Sequence, residues 1–144
     1  MSELEQLYQE VVLDHARNRR GFGLGPGDAE SHQINPTCGD EVTLRLALGE
    51  DGGIRDLTWE GHGCAISQSS ASMLAELAPG ILPDELQLRI DAFREMMRSR
   101  GQVEGDEDLL GDAVVFRSAS RYTARVKCAM LAWVAAEEAL TRLP

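Results

Sequence analysis

Cysteine is scarce in this chain of 144 residues: there are three, an odd number, with no Cys-x-x-C pair among them. So small a set does not read as a disulfide framework. Basic residues are few as well. Fourteen Lys and Arg face 24 Asp and Glu, leaving a net charge of −10. A surface that acidic repels phosphate backbones and anionic lipid, which argues against nucleic acid and membrane as partners. Long apolar runs are missing too: the longest, Cys128 to Ala136, falls far short of the roughly 20 residues a spanning helix needs. The opening MSELEQLYQE is acidic and periodic, without the charged-then-apolar layout of a signal peptide. The expectation is a cytoplasmic protein with reduced thiols. No internal repeat, low-complexity tract or linker divides the chain, so a single domain over residues 1–144 is expected.

What is present is ordinary globular material, 43% hydrophobic and 26% charged. Ser2 and Glu5 have the spacing of a capping box, and Leu4, Leu7, Tyr8, Val11 and Val12 recur at helical spacing, predicting a helix to about Arg19. Gly21, Gly23, Gly25, Pro26 and Gly27 end it and open a loop expected to reach Asn35-Pro36. Val42, Leu44, Leu46 and Leu48 then alternate with polar residues, and Glu50-Asp51-Gly52-Gly53 turns the chain back into Ile54–Glu60, an antiparallel hairpin. A helix is expected from about Ser67 to Ala78. Another begins near Asp84, with Gln87 as its capping partner, and buries Leu86, Ile90, Phe93 and Met97. Residues 99–112 read as a solvated connection. The last helix, about Arg121 to Arg142, is apolar nearly all round between Val126 and Ala136 and belongs in the core. The fold class expected is α+β: a small antiparallel sheet with helices packed on one face.

The three cysteines occupy three contexts. Cys38 lies in a turn before a strand, Cys64 in a glycine-flexed loop feeding a helix, and Cys128 within the last helix. Asp40, two residues past Cys38, could add a carboxylate oxygen to three sulfurs, and zinc accepts such a tetrahedral set. On spacing alone two readings stand: one shared metal site, or separate cysteines of which Cys128 is simply core. Cys64 precedes a helix N-terminus, whose dipole favours negative charge. Arg121 and Arg125 share a helical face, so an anionic neighbour would relieve their repulsion; the alternative is that both face solvent or surface carboxylates. His62 is a rival fourth ligand, its plainer reading a solvent-exposed loop histidine. The glycines of 21–27 lack the Gly-Lys-Ser/Thr ending of a phosphate loop. The serines of Ser67–Ser72 show no neighbouring base and read as close helix packing.

Four segments in register resemble one family. Leu7-Tyr8 through Asp14-His15, Asn35-Pro36-Thr37-Cys38-Gly39-Asp40, Glu60-Gly61-His62-Gly63-Cys64-Ala65-Ile66-Ser67 with Ser70-Ala71-Ser72-Met73, and Arg125-Val126-Lys127-Cys128-Ala129 are similar to the iron–sulfur assembly proteins of the IscU/NifU N-terminal type. The likeness covers nearly the whole chain and is greatest to the SufU branch. Lys127 stands where the IscU branch has a histidine, and the long interval from Cys64 to Cys128 resembles the SufU insertion. Ala16 and Asn18-Arg19-Arg20 depart from the tyrosine and Asn-Pro-Arg usual in the first motif.

The resemblance implies a zinc site at one end of the sheet, made by Cys38, Asp40, Cys64 and Cys128. It implies a zinc-dependent acceptor that takes persulfide sulfur from a PLP-dependent cysteine desulfurase of the SufS type and passes it to downstream iron–sulfur assembly proteins. Cys38 would be the sulfur acceptor, freed when a histidine of the desulfurase takes its coordination position, and Arg125 would steady the sulfur. A thiolate held by a metal is deprotonated yet protected, which suits such a relay. The alternatives carried forward are a scaffold holding iron or a transient iron–sulfur cluster on the same ligands, and a structural zinc module with only an interaction role.

Overall fold

A computed structural model describes residues 3–144, with side chains from Gln6 onward. The Ser2–Glu5 capping pattern lies outside what it describes. Helix α1 (Glu3–Arg17) is followed by strands β1 (Ala29–Asn35), β2 (Asp40–Leu48) and β3 (Ile54–His62), then α2 (Ala65–Leu77), α3 (Pro83–Arg98), a single turn α4 (Glu107–Leu110), a 3-10 stretch Gly111–Arg121 and α5 (Thr123–Thr141). The strands form one antiparallel sheet in the order β1-β2-β3. The α+β expectation, with helices packed on the sheet, is what the structure has.

Alternation along β2 and β3 drives Val42, Leu44, Leu46, Ile54, Leu57 and Trp59 to one face, where all are buried. Helix α5 packs across β1 and β2 on that face, and α2 across β3. Because α5 is covered on several sides, its Ala129, Ala132, Trp133, Ala135, Ala136 and Ala139 are all buried, as its all-round apolar pattern requires. Phe93 of α3 stacks on Trp133 at 4.0 Å between ring centroids, and Phe116 meets both Phe93 and Tyr8 edge-on. Leu86, Ile90, Phe93 and Met97 are the buried stripe of α3 as expected.

Three expectations need correction. The segment after α1 is not loop as far as Pro36, because Ala29–Asn35 pairs in register with β2 from Ala29↔Leu46 to Asn35↔Asp40. Its pattern is inverted in hydrophobicity: Ser31 and Asn35 face inward while Ile34 points out, 53% exposed, so alternation of apolar residues could not reveal it. Gln87 does not cap α3. Leu82 is the N-cap and Pro83 opens the helix, while Gln87 donates to Asp91 and Glu137. The connection after α3 is not wholly solvated either, since Leu110 is buried and the following 3-10 stretch buries Ala113, Phe116 and Ala119.

The free edge of β3 is covered by the chain leaving α1. Trp59 N–H donates to Gly21 O and Gly23 N–H to Trp59 O, in a short parallel bridge. Gly21, at φ +75, approaches so closely that a Cβ there would lie 2.6 Å from that of Ala75.

Candidate metal centre

The turn joining β1 to β2 is set by Asn35. Its carbonyl accepts from Gly39 N–H at 2.8 Å and its side-chain oxygen from Thr37 N–H at 3.1 Å. Gly39 takes φ +77, which an L side chain resists, and closes the turn. Cys38 therefore stands exposed at the tip, while Asp40, first in β2, points inward and is 2% exposed. At the same end of the sheet, β3 runs out at His62 and Gly63 passes the chain to Cys64, the N-cap of α2. Cys128 arrives from the second turn of α5 and is buried.

These groups meet. Cys38 Sγ lies 3.7 Å from Cys128 Sγ, and a donor atom from each of Cys38, Asp40 and Cys128 falls within 4.8 Å of the other two. Cys64 joins through the carboxylate: its backbone N–H donates to Asp40 Oδ1 at 3.0 Å and its Sγ lies 3.6 Å from Asp40 Oδ2. All four residues named from the sequence thus share one end of the sheet, three as a tight group and Cys64 as its neighbour.

The electrostatics are unusual for a carboxylate in a core. Among the described residues no Lys, Arg or His forms an ion pair with Asp40. Burial opposes its charge, yet hydrogen bonds from the Cys128 and Cys38 thiols and from Cys64 outweigh burial and hold the carboxyl below its usual range. The Cys128 thiol is pushed well above the thiol range, first by burial and then by Asp40, Cys38 and Cys64. Three thiols crowd an anion that has no counter-charge among the described residues, an arrangement a cation would satisfy. Sulfur with one carboxylate oxygen suits zinc or iron, so the donor set fits either metal.

The other residues named from the sequence go elsewhere. The Arg125 guanidinium lies over the Tyr122 ring, 4.7 Å from its centroid. His62 is turned away on the outer face of the sheet, with Nε2 3.9 Å from Glu41 Oε2. Ser67–Ser72 does have a base beside it, contrary to expectation: buried His15 places Nδ1 2.8 Å from Ser72 Oγ and Nε2 2.9 Å from Asp112 Oδ2. The Ser72 side chain is wholly buried, so the trio clamps α1 to α2 and the 3-10 stretch rather than facing a substrate. His15, Glu76 and Asp112 also lie close enough to hold an ion, but Arg20 already reaches Glu76 and Asp14 there. No helix among the described residues is long and apolar enough to cross a membrane.

Comparison with known proteins places this geometry. The zinc-dependent sulfurtransferase SufU of Bacillus subtilis strain 168 is 35% identical over 143 residues, covering 98% of this chain and 94% of that protein. The iron–sulfur cluster assembly scaffold protein IscU of Streptococcus pyogenes serotype M1 is 35% identical over 142 residues, 99% of this chain and 87% of that one. A crystal structure of a SUF-system scaffold protein from Fervidobacterium islandicum AW-1 matches with TM-score 0.83 and 33% identity, over 94% of this chain and 97% of that chain. The N-terminal NifU-like protein of Brucella abortus matches with TM-score 0.84 and 27% identity, over 99% and 97%. The model of the NifU-like N terminal domain spans residues 7–141, and with relatives this similar across their length the chain belongs to that iron–sulfur assembly family.

Proposed function

We propose that this protein is a zinc-dependent sulfur acceptor in iron–sulfur cluster assembly, with Cys38, Asp40, Cys64 and Cys128 as the metal ligands and a PLP-dependent cysteine desulfurase as the sulfur donor. The observation that carries it is the buried Asp40 carboxylate, bonded to Cys64, grouped within 4.8 Å with the Cys38 and Cys128 sulfurs, and paired with no cation among the described residues. Zinc bound there would keep the three sulfurs as thiolates at neutral pH.

The roles of the cysteines differ with their anchorage. Cys128 is fixed within α5 and Cys64, though exposed, at the head of α2, whereas the exposed Cys38 stands on a four-residue turn and can move without unwinding a helix. Cys38 is therefore the acceptor. Its thiolate attacks the outer sulfur of the donor's cysteine persulfide, the donor's S–S bond breaks, and the donor cysteine leaves as a thiolate, so that one negative charge enters and one leaves. One sulfur moves and nothing is oxidised overall. Arg125, exposed near the start of α5, is available to meet an anionic sulfur or the donor's surface.

The test is mass spectrometry after incubation with desulfurase and cysteine. The expected result is an adduct of about 32 Da, one sulfur atom, mapped to Cys38 and absent in Cys38→Ser. First appearance of the adduct on Cys64 or Cys128 overturns the assignment. A scaffold role on the same ligands is favoured by the IscU name of the Streptococcus relative. Purified protein carrying iron and acid-labile sulfide, instead of about one zinc per chain, decides for it.

A further inference from the structure

Two sulfurs of the thiol group differ sharply in access. Cys38 is exposed at the tip of the β1–β2 turn, and Cys128 is buried in the second turn of α5, only 8% exposed. Their Sγ atoms are nevertheless 3.7 Å apart. A disulfide spans about 2.0 Å, so a further approach of about 1.7 Å joins them, and the short turn carrying Cys38 is the part free to move. Cys64 is placed differently. Its Sγ faces Asp40 Oδ2 at 3.6 Å and Ser67 Oγ at 3.9 Å, and it stands outside the group whose donor atoms all lie within 4.8 Å of one another.

We propose that Cys128 is a resolving thiol, which releases the sulfur taken up by Cys38 as free sulfide. The step rests on the reading of Cys38 as the acceptor. Loaded Cys38 is a persulfide anion, an inner sulfur bonded to the chain and an outer one beyond it. Cys128 Sγ attacks the inner sulfur, and a Cys38–Cys128 bond forms. The bond to the outer sulfur breaks, and that sulfur leaves as hydrosulfide with the electron pair and the Cys128 proton. One negative charge enters and one leaves. Cys128 is oxidised to the disulfide level while the departing sulfur is reduced to sulfide, so the step draws on no outside oxidant.

The contrast in access sets the order and the direction of events. Burial denies Cys128 to a donor protein, so the exposed Cys38 is loaded first and Cys128 is kept for the second step. Displacement at sulfur needs the entering and leaving atoms on opposite sides. Cys128 lies on the buried side of Cys38, and the outer sulfur leaves on the exposed side. Their separation of 3.7 Å is close to the roughly 3–3.5 Å of reacting atoms poised for attack. The disulfide left behind has its exposed end at Cys38, where exchange with an external dithiol restores both thiols.

The test loads the full protein once, in one arm with desulfurase and cysteine and in the other with inorganic polysulfide, and then removes small molecules by desalting. Sulfide is assayed over time, and the chain is alkylated and mapped by mass spectrometry. The expected result is that the adduct of about 32 Da on Cys38 decays as free sulfide appears, and that Cys38 and Cys128 are recovered in one linked peptide pair. Cys128→Ser keeps the adduct and releases sulfide at least about tenfold more slowly. Because that substitution also removes a proposed metal ligand, the linked pair in the unsubstituted protein decides. A link from Cys38 to Cys64, or no Cys38–Cys128 link in either arm, overturns the resolving role. A Cys38–Cys128 link formed with polysulfide, without any adduct from the desulfurase, supports the resolving role and counts instead against the sulfur donor proposed above.

Discussion

Gly63→Ala probes the candidate centre without touching a donor atom. A Cβ at that position would overlap Asp40 Oδ1 and would sit 2.5 Å from Ser67 Oγ and 2.7 Å from Asp40 Cγ. Asp40 belongs to a paired strand and Ser67 to the first turns of α2, so neither yields cheaply. The carboxylate must turn, which breaks its bond from Cys64 N–H and draws it from the thiols. Loss of one hydrogen bond to a charged group costs about 1.5–3 kcal/mol and crowding about 1–3 kcal/mol. Taking about 3 kcal/mol together, and about 3 °C per kcal/mol for a chain of this size, the midpoint of unfolding drops by about 10 °C. Gly39→Ala is the matched control. Its φ of +77 makes any side chain costly, by about 1–2 kcal/mol, yet its Cβ would meet nothing within 4 Å. Both variants are followed by calorimetry and by competition of bound zinc against a chromophoric chelator. Gly63→Ala is expected to lose at least about tenfold in zinc affinity, as when a ligand's supporting contacts are disturbed, and Gly39→Ala much less. If the two variants match in both measurements, Asp40 is not held in place for a metal and the reasoning fails.

Three further outcomes are expected. Removing bound metal with a chelator lowers the thermal midpoint and opens Cys38, Cys64 and Cys128 together to alkylation, because the buried Asp40 carboxylate loses its cation and the sulfurs lose the bond that ties them together; an unchanged midpoint with protected thiols contradicts it. Ser70→Ala destabilises by about 2 kcal/mol in chemical denaturation while leaving zinc content unchanged, since it strips the buried Trp133 Nε1–H of its acceptor and removes the hydroxyl donated to Ala129 O. Glu137 is paired with Arg94 at 2.7 Å, and that pairing, despite some burial, holds its carboxyl below the 4.5 of a free one. Its contribution is therefore complete above pH 4.5 and lost as pH falls through the depressed value, so the deficit of Glu137→Gln in thermal melts shrinks in that acid range.

The legible parts of this fold are those where apolar periodicity and burial agree. Val42, Leu44 and Leu46 announce β2, and the apolar sweep of α5 announces a central helix. Strand β1 was hidden because its inward residues include Ser31 and Asn35, and because pairing with β2 is a property of two segments rather than one. The 3-10 stretch was hidden because its buried apolar residues, Ala113, Phe116 and Ala119, recur only every three, without the apolar i+4 and i+7 partners that mark an α-helical face. At the centre, residue types were readable but convergence was not. Cys38 and Cys128 lie 90 positions apart, so spacing left a shared site and separate cysteines both open, and the family resemblance chose between them ahead of the fold. The His15–Ser72 contact spans 57 positions and carried no local signal at all.

That separation has a thermodynamic consequence. A chain with paired ligands a few residues apart can chelate metal while still unfolded, and whatever affinity the unfolded ensemble has is subtracted from the stabilisation the ion confers. Here only Cys38 and Asp40 are near neighbours. Cys64 lies beyond a two-stranded hairpin and Cys128 beyond four further helical segments. Closing such spans in a disordered chain carries an entropic cost that one weak thiol–carboxylate pair does not offset. Nearly the whole free energy of ion binding is thus credited to the native state, and metal occupancy becomes a direct gauge of how much of the population is folded.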